Sequence, residues 1–268
     1  MADDSSALVA GRRKRIEHGL NQLPLTLQIL YARSDLARVG HNIDSTTRSL
    51  LQRGMMSARI DGDFKAARAD FTQAAQLSRE FDRALTASRE SLGDAAQPKS
   101  SRLYLGDFEV PLFACVLAHN WPQAEWLATT LHDRQVGDPV EDPIHSHMTR
   151  LLAALVLDDR ATFVQAKSSY DKLKKSAWWK YFVHYVDLYE SVLTRDQARY
   201  DERVALADTN YRARARDRKF GDLRPEYGGL SDNERMLDFV ALAIAIVAMK
   251  RGMGPKESDI VPAALIEP

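Results

Sequence analysis

Ser231-Asp-Asn-Glu-Arg-Met-Leu-Asp-Phe-Val-Ala-Leu-Ala-Ile-Ala-Ile-Val-Ala-Met-Lys-Arg-Gly252 is the stretch that decides the fold. Ser231 and Glu234 have the spacing of a capping box, in which the serine accepts from an early free N–H and the glutamate reaches back to the cap. Met236, Leu237, Phe239, Val240, Leu242, Ile244, Ile246, Val247 and Met249 follow, interleaved with Ala241, Ala243, Ala245 and Ala248. Almost every face of the resulting helix, Asp232 to Arg251, is apolar, and a helix apolar all round is buried all round. Lys250 and Arg251 suit the negative end of its dipole, and Gly252 offers the left-handed residue that stops it. The apolar run falls short of the roughly 20 residues needed to cross a bilayer. It is a core helix, with other helices close on its alanines. Asp238, in its first two turns, is expected to be held by the dipole and an arginine.

The chain around it has 268 residues, enough to bury a substantial core. Lys plus Arg equals Asp plus Glu at 37 each, which excludes a polyanion mimic and gives no general attraction to nucleic acid. The single cysteine, Cys115, lies among Phe113, Val116 and Leu117, so no internal disulfide forms and the thiol is expected to be buried and structural. Arg12 to Arg15 have no apolar stretch behind them, which argues against a secretory signal and for a cytoplasmic protein. Residues 1–11 are small, polar and acidic and are expected to be disordered; residues 12–268 are expected to form a single domain.

Helical patterns run through that domain without a stretch of strand alternation, so the expected fold class is all-α. Breaks are expected around Pro24, at 93–101, at 137–143 and at 221–229, each holding Gly or Pro. Between them the chain repeats itself. Phe64 is followed by Ala67, Phe71 and Ala74; Trp121 by Ala124, Ala128 and Leu131; Phe163 by Ala166, Tyr170 and Leu173. A short polar turn precedes each aromatic, and Arg195-Asp196 leads to a weaker copy with Tyr200, Val204 and Ala207. This is the pattern of the second helix of a tetratricopeptide hairpin, in which the alanine admits the first helix and the larger residues fill the groove. The spacing is irregular and exceeds the roughly 34-residue period of a regular array. The expected architecture is therefore an irregular helical-hairpin, tetratricopeptide-like bundle or short solenoid, closed by the buried C-terminal helix.

Candidate chemistry is sparse. His145 and His147 follow an acidic loop, but two histidines at i, i+2 diverge on a helix and no further ligands support a metal. His132-Asp133 and the pair His184 and Asp187 lack a nucleophile in a recognisable setting. Trp178, Trp179, Tyr181, Phe182, Tyr185 and Tyr189 form two aromatic stripes, read as core on both faces in preference to an interface hot spot. Arg212, Arg214, Arg216, Arg218 and Lys219 scatter around a helix and read as a solvated end. Without a phosphate-binding glycine loop, no nucleotide chemistry is expected. The chain is thus expected to be no enzyme and to need no cofactor or metal.

Three stretches carry a resemblance. Ala118-His-Asn-Trp-Pro-Gln-Ala-Glu-Trp126, Leu193-Thr-Arg-Asp196 leading to Tyr200, and the apolar helix followed by Arg251-Gly-Met253, Glu257-Ser-Asp-Ile-Val-Pro262 and Leu265 resemble the immunity protein 49 family of bacterial polymorphic-toxin systems. The likeness covers roughly residues 100–265, on structural and not catalytic motifs. It implies a helical immunity protein that binds a cognate toxin effector in the cytosol and occludes its active or substrate-binding surface, with no direct nucleic-acid or membrane partner. The family's motifs place no binding residues. By composition, the exposed loops expected to meet the toxin are Asp138, Glu141 and Asp142, and Asp222, Arg224, Glu226 and Tyr227. The alternative is a tetratricopeptide-like adaptor holding a peptide in its groove, which would require inward-facing Asn, Lys or Arg at repeated positions.

Overall fold

In the computed structural model, which describes residues 2–92, 109–132, 143–175, 179–215, 238–254, 256–258 and 261–267, the same turn recurs along the chain. Ser34, His119, Asp158 and Arg195 each take a left-handed backbone conformation, with φ of 55°, 53°, 57° and 56°. In each case the next residue's N–H reaches back five residues, Asp35 to the Leu30 carbonyl at 3.0 Å, Asn120 to Cys115 at 2.8 Å, Asp159 to Ala154 at 2.9 Å and Asp196 to Ser191 at 3.0 Å. That is the Schellman closure of a helix C-terminus. The residue that completes the closure then opens the next helix. Asp159 accepts from the Thr162 N–H at 3.0 Å, Asp196 from Arg199 at 3.0 Å and Asp35 from Arg38 at 3.3 Å, satisfying donors that a helix start leaves free. Stop and start are fused, so consecutive helices must fold back as tight hairpins.

The described helices are α1 (Ala2–Ala32), α2 (Leu36–Ile60), α3 (Phe64–Leu92), α4 (Glu109–Leu117), α5 (Trp121–His132), α6 (Pro143–Leu157), α7 (Arg160–Asp171), α8 (Trp179–Thr194), α9 (Gln197–Ala215), α10 (Phe239–Lys250) and the short α11 (Ala263–Ile266), and the fused turn joins α1 to α2, α4 to α5, α6 to α7 and α8 to α9. The described part of the chain is all-α. Helices α2, α4, α6 and α8 pack in succession as one layer, and α3, α5, α7 and α9 form a second layer against them. The repeated side chains are where that packing needs them: Ala67, Phe71, Ala74, Ala124, Ala128, Phe163, Ala166, Tyr170, Tyr200, Val204 and Ala207 are all buried. The hairpin reading therefore holds. At the α2–α3 contact a Cβ on Gly54 would stand 2.8 Å from the Phe71 ring and 3.0 Å from the Ala67 carbonyl oxygen, so glycine is what permits the approach.

Helix α10 lies on α4 and α8, both members of the first layer. Every residue from Val240 to Ala248 is buried, as a helix apolar on all sides requires. Its start corrects the expectation. The described helix begins at Phe239, and Asp238 is not within its early turns but is its N-cap, accepting from Val240 N–H at 3.0 Å and Ala241 N–H at 3.3 Å. The Ser231–Glu234 box lies outside the described residues. Beyond Gly252 the chain straps across the bundle: Gln197 and Gly254 exchange two hydrogen bonds of 2.9 Å, and Arg68 donates to the carbonyls of Ala264 and Glu267. Leu265 and Ile266 are buried beneath it.

At the N-terminus, α1 runs from Ala2 to Ala32 through the segment 2–11 whose composition suggests disorder; Val9 packs on Met56 and Arg13 pairs with Asp61 at the end of α2. Pro24 does not break that helix. It removes one backbone donor, but buried Leu23, Leu27 and Leu30 keep both sides of it docked in the core. The breaks expected at 93–101 and 221–229 lie outside the described residues; α6 begins at Pro143, the position where a helix tolerates the missing N–H.

Candidate functional site

Asp138, Glu141, Asp142, Asp222, Arg224, Glu226 and Tyr227, the residues expected to meet a partner, lie outside the described residues. So do Asp133, Trp178 and residues 216–219, and the side chains of His132, His145, Tyr181, Phe182, Arg212 and Arg214. The remaining candidates fall in described helices and can be followed individually.

Cys115 is completely buried, and its thiol lies 3.3 Å from the Ser78 hydroxyl; burial pushes its pKa up to about 11, so it stays protonated and unreactive. Of the aromatic stripes, the part that is described is core: Tyr185, Val186 and Tyr189 are buried and Trp179 is half-buried against the same cluster. The Tyr185 hydroxyl donates to the Asp238 carboxylate, which is itself 2% exposed and held by two backbone N–H groups. An aspartate that caps a helix and also receives a phenol hydrogen bond has its acceptors matched to donors, and its work is to fix the start of α10 against α8. Tyr189, fully buried, is driven well above its ordinary pKa by desolvation and by the nearby charges of Glu109 and Asp238.

Charged groups between the outer helices are also paired. Glu190 accepts from Lys167 at 3.1 Å and from Arg199 at 2.6 Å, and Arg203 stands 3.5 Å from Asp187. Burial alone would raise the Glu190 pKa; the hydrogen bonds from Arg199 and Lys167 outweigh it and hold the carboxyl below the usual range. His147 on α6 and His119 in the α4–α5 turn are both half-buried and shifted toward the neutral form. Burial is the main cause in each case, assisted by Arg150 and Lys172 around His147 and by Arg68 beside His119, where a hydrogen bond with the Leu265 backbone acts in the opposite direction. Among the described residues no group of three or more His, Cys, Asp or Glu is placed to hold a metal ion.

One constellation has no forerunner in the sequence reading. Arg251, expected only to compensate a dipole, is the C-cap of α10 and its side chain is 7% exposed. It donates to the Leu155 carbonyl at the end of α6 and, at 3.5 Å, to Val192 near the end of α8, and it pairs with Asp158 at 3.2 Å. Asp158 also holds Arg195 at 3.1 Å. Three helix ends thus meet on one guanidinium. The available sequence signal was the matched position of Asp158 and Arg195, each just before a capping Asp.

The surface left to a partner follows from what is covered. Helix α10 sits on the first-helix layer, the inner face of a helical-hairpin stack, and fills it with aliphatic side chains. Large apolar side chains exposed on the second-layer helices are Trp126 on α5, Val164 on α7 and Leu206 on α9. Among the described residues no helix is long and apolar enough to cross a membrane. No family model matches this chain, and neither the curated proteins nor the solved structures contain a match to it.

Proposed function

We propose that this chain is a cytoplasmic immunity protein that neutralises a cognate bacterial toxin by binding it stoichiometrically and covering its active or substrate-binding surface. The observation that carries this reading against a peptide adaptor is the position of α10. A tetratricopeptide-like adaptor holds an extended peptide on its inner helix layer, and here α4 and α8 of that layer are covered by the chain's own buried helix. What remains to bind with is the outer surface, which suits a folded partner with a surface of its own. Helices tied by fused caps and by Arg251 supply a rigid body, and rigid bodies lose little entropy on docking. The resemblance of the 118–126, 193–200 and 237–265 segments to immunity proteins supports the same reading. It works by binding and not by turnover, and it requires no cofactor.

The test is co-expression. The toxin domain encoded beside this gene is produced in a sensitive bacterium with and without this chain, and the pair is then purified through a tag on one partner. The expected result is restored growth together with a one-to-one complex that survives size-exclusion chromatography. Full expression of both proteins with neither rescue nor co-purification would remove the reading for that toxin.

A further inference from the structure

The outer face of α7 is unlike the paired surfaces around it. The helix packs on α6 through Phe163, Ala166 and Tyr170, all buried, and the opposite side is open. Four residues recur there at intervals of four, which places them on one face: Arg160, Val164, Ser168 and Lys172, each exposed. Val164 is 61% exposed, the most exposed of the large apolar side chains described. Lys174 and Lys175 extend the positive end of the stripe in the turn after the helix, with Lys174 5.9 Å above the Trp179 ring. Arg150 of α6 belongs to the same neighbourhood, since it and Lys172 both act on His147.

The two carboxylates before the helix are turned to other tasks: Asp159 is spent on the Thr162 N–H and hydroxyl at 3.0 and 2.6 Å, and Asp158 on Arg195 and Arg251. Asp171, partly buried at the end of the helix, is the one carboxylate on α7 itself, against Arg160, Lys172, Lys174 and Lys175. The stripe therefore presents an apolar side chain between cations over roughly 18 Å of helix, at 1.5 Å per residue. An exposed apolar side chain between cations can be covered by a partner whose own carboxylates meet those cations around the rim.

Resting on the immunity reading, we propose that the outer face of α7, centred on Val164 and bounded by Arg160, Lys172 and Lys175, is where the toxin docks, through an acidic face with an apolar contact at its middle. A folded acidic protein fits better than nucleic acid. The chain has no net charge to draw a polyanion, and a phosphate backbone offers nothing to an exposed valine. Opposed potentials would also speed capture, which an antidote needs.

The experiment compares the wild-type chain with R160E/K172E/K175E, with the neutral R160Q/K172Q/K175Q and with V164D, using the toxin domain as ligand and surface plasmon resonance at low and high salt. A K14E/R15E/K65E variant makes the same change in net charge at exposed positions on α1 and α3. Circular dichroism melts establish that each variant folds. The expected result is a loss of affinity of at least about tenfold for the triple reversal, carried mostly by slower association and shrinking at high salt. V164D weakens binding through faster dissociation, and the α1/α3 control changes it less than about twofold. Unchanged binding by the folded reversal and neutral variants would overturn this assignment while leaving the immunity reading standing. Failure of the wild-type chain to bind would remove both. A labelled duplex oligonucleotide bound tightly by the wild type and not by the reversal would overturn the protein partner in favour of nucleic acid.

Discussion

Gly54 shows how much can depend on one missing carbon. It lies in the middle of α2, where an alanine would ordinarily gain about 1 kcal/mol of helix propensity. Its Cβ would stand 2.8 Å from a Phe71 ring that is itself 1% exposed and 3.0 Å from a backbone oxygen. Neither neighbour has room to yield, so overpacking wins. Gly54→Ala is expected to destabilise the protein by about 1–2 kcal/mol net, read as a lower urea midpoint with an unchanged slope. His119 and His147 give a second residue-scale expectation. Both are shifted toward the neutral form in the folded chain, below the ordinary value of about 6.5, so the unfolded chain binds their protons more readily. Their contribution to stability is therefore complete above that pH and is lost as the pH falls through it toward the folded values. Melting temperatures should drop between pH 7.5 and 5.5, and His147→Gln, which cannot take up a proton, should flatten part of that drop. A profile flat over this range in the wild type would contradict the assignment.

At the scale of the element, the fused turn is the device that makes hairpins. Three of its four non-glycine left-handed residues, His119, Asp158 and Arg195, have further contacts, while Ser34 is simply exposed. Ser34→Gly is therefore expected to stabilise by up to about 1 kcal/mol, because glycine takes φ of 55° without the penalty a Cβ incurs there. Asp196→Ala, which removes the cap of α9, is expected to cost about 1 kcal/mol. Chemical denaturation of both variants beside the wild type checks the pair of signs. These turns also mark what the sequence made legible. The polar residues before Phe64, Trp121, Phe163 and Tyr200 were visible, as was the alanine spacing after them, because a helix that must approach another closely has few residue choices. The left-handed conformations were not visible, since His, Asp and Arg announce nothing of the kind that glycine does. Nor was the length of α1: Pro24 argues locally against a long helix, and only the packing of Leu23, Leu27 and Leu30 in the core overrides it. The candidate partner residues were chosen by loop composition alone, a signal that carries no geometry. The α7 stripe escaped for the opposite reason, since one valine among exposed polar residues is ordinary until its neighbours are known.

For the molecule as a whole, Arg251 decides whether α10 is part of the bundle or merely lies on it. The apolar body of that helix would bury itself in any greasy groove, because hydrophobic burial has no direction. Direction comes from the ends. Asp238 fixes the start against Tyr185 of α8, and Arg251 fixes the finish against the last carbonyls of α6 and α8 and against Asp158. Each of those carbonyls already accepts one backbone N–H, from Asp158 to Leu155 at 3.3 Å and from Arg195 to Val192 at 3.2 Å, so the guanidinium is a second donor to each, placed at the negative ends of two helix dipoles. Desolvation lowers the Arg251 pKa and Asp158 works to restore it, yet a guanidinium stays charged at any pH the fold survives. Arg251→Met keeps the length and the apolar stem and deletes only the donors and the charge. It is expected to cost about 2 kcal/mol, the range for losing hydrogen bonds made by a charged group, since Asp158 is half-exposed and keeps Arg195. Arg195→Met, which removes the exposed partner of the same aspartate, is expected to cost under 1 kcal/mol. Hydrogen exchange locates the difference. In the Arg251 variant, protection should fall from Val247 to Met253 and at the ends of α6 and α8, with the α2–α3 hairpin unchanged. Uniform loss across all helices would mean that Arg251 supports global stability without directing α10, and the inner layer would then have to be closed by the apolar body of the helix alone.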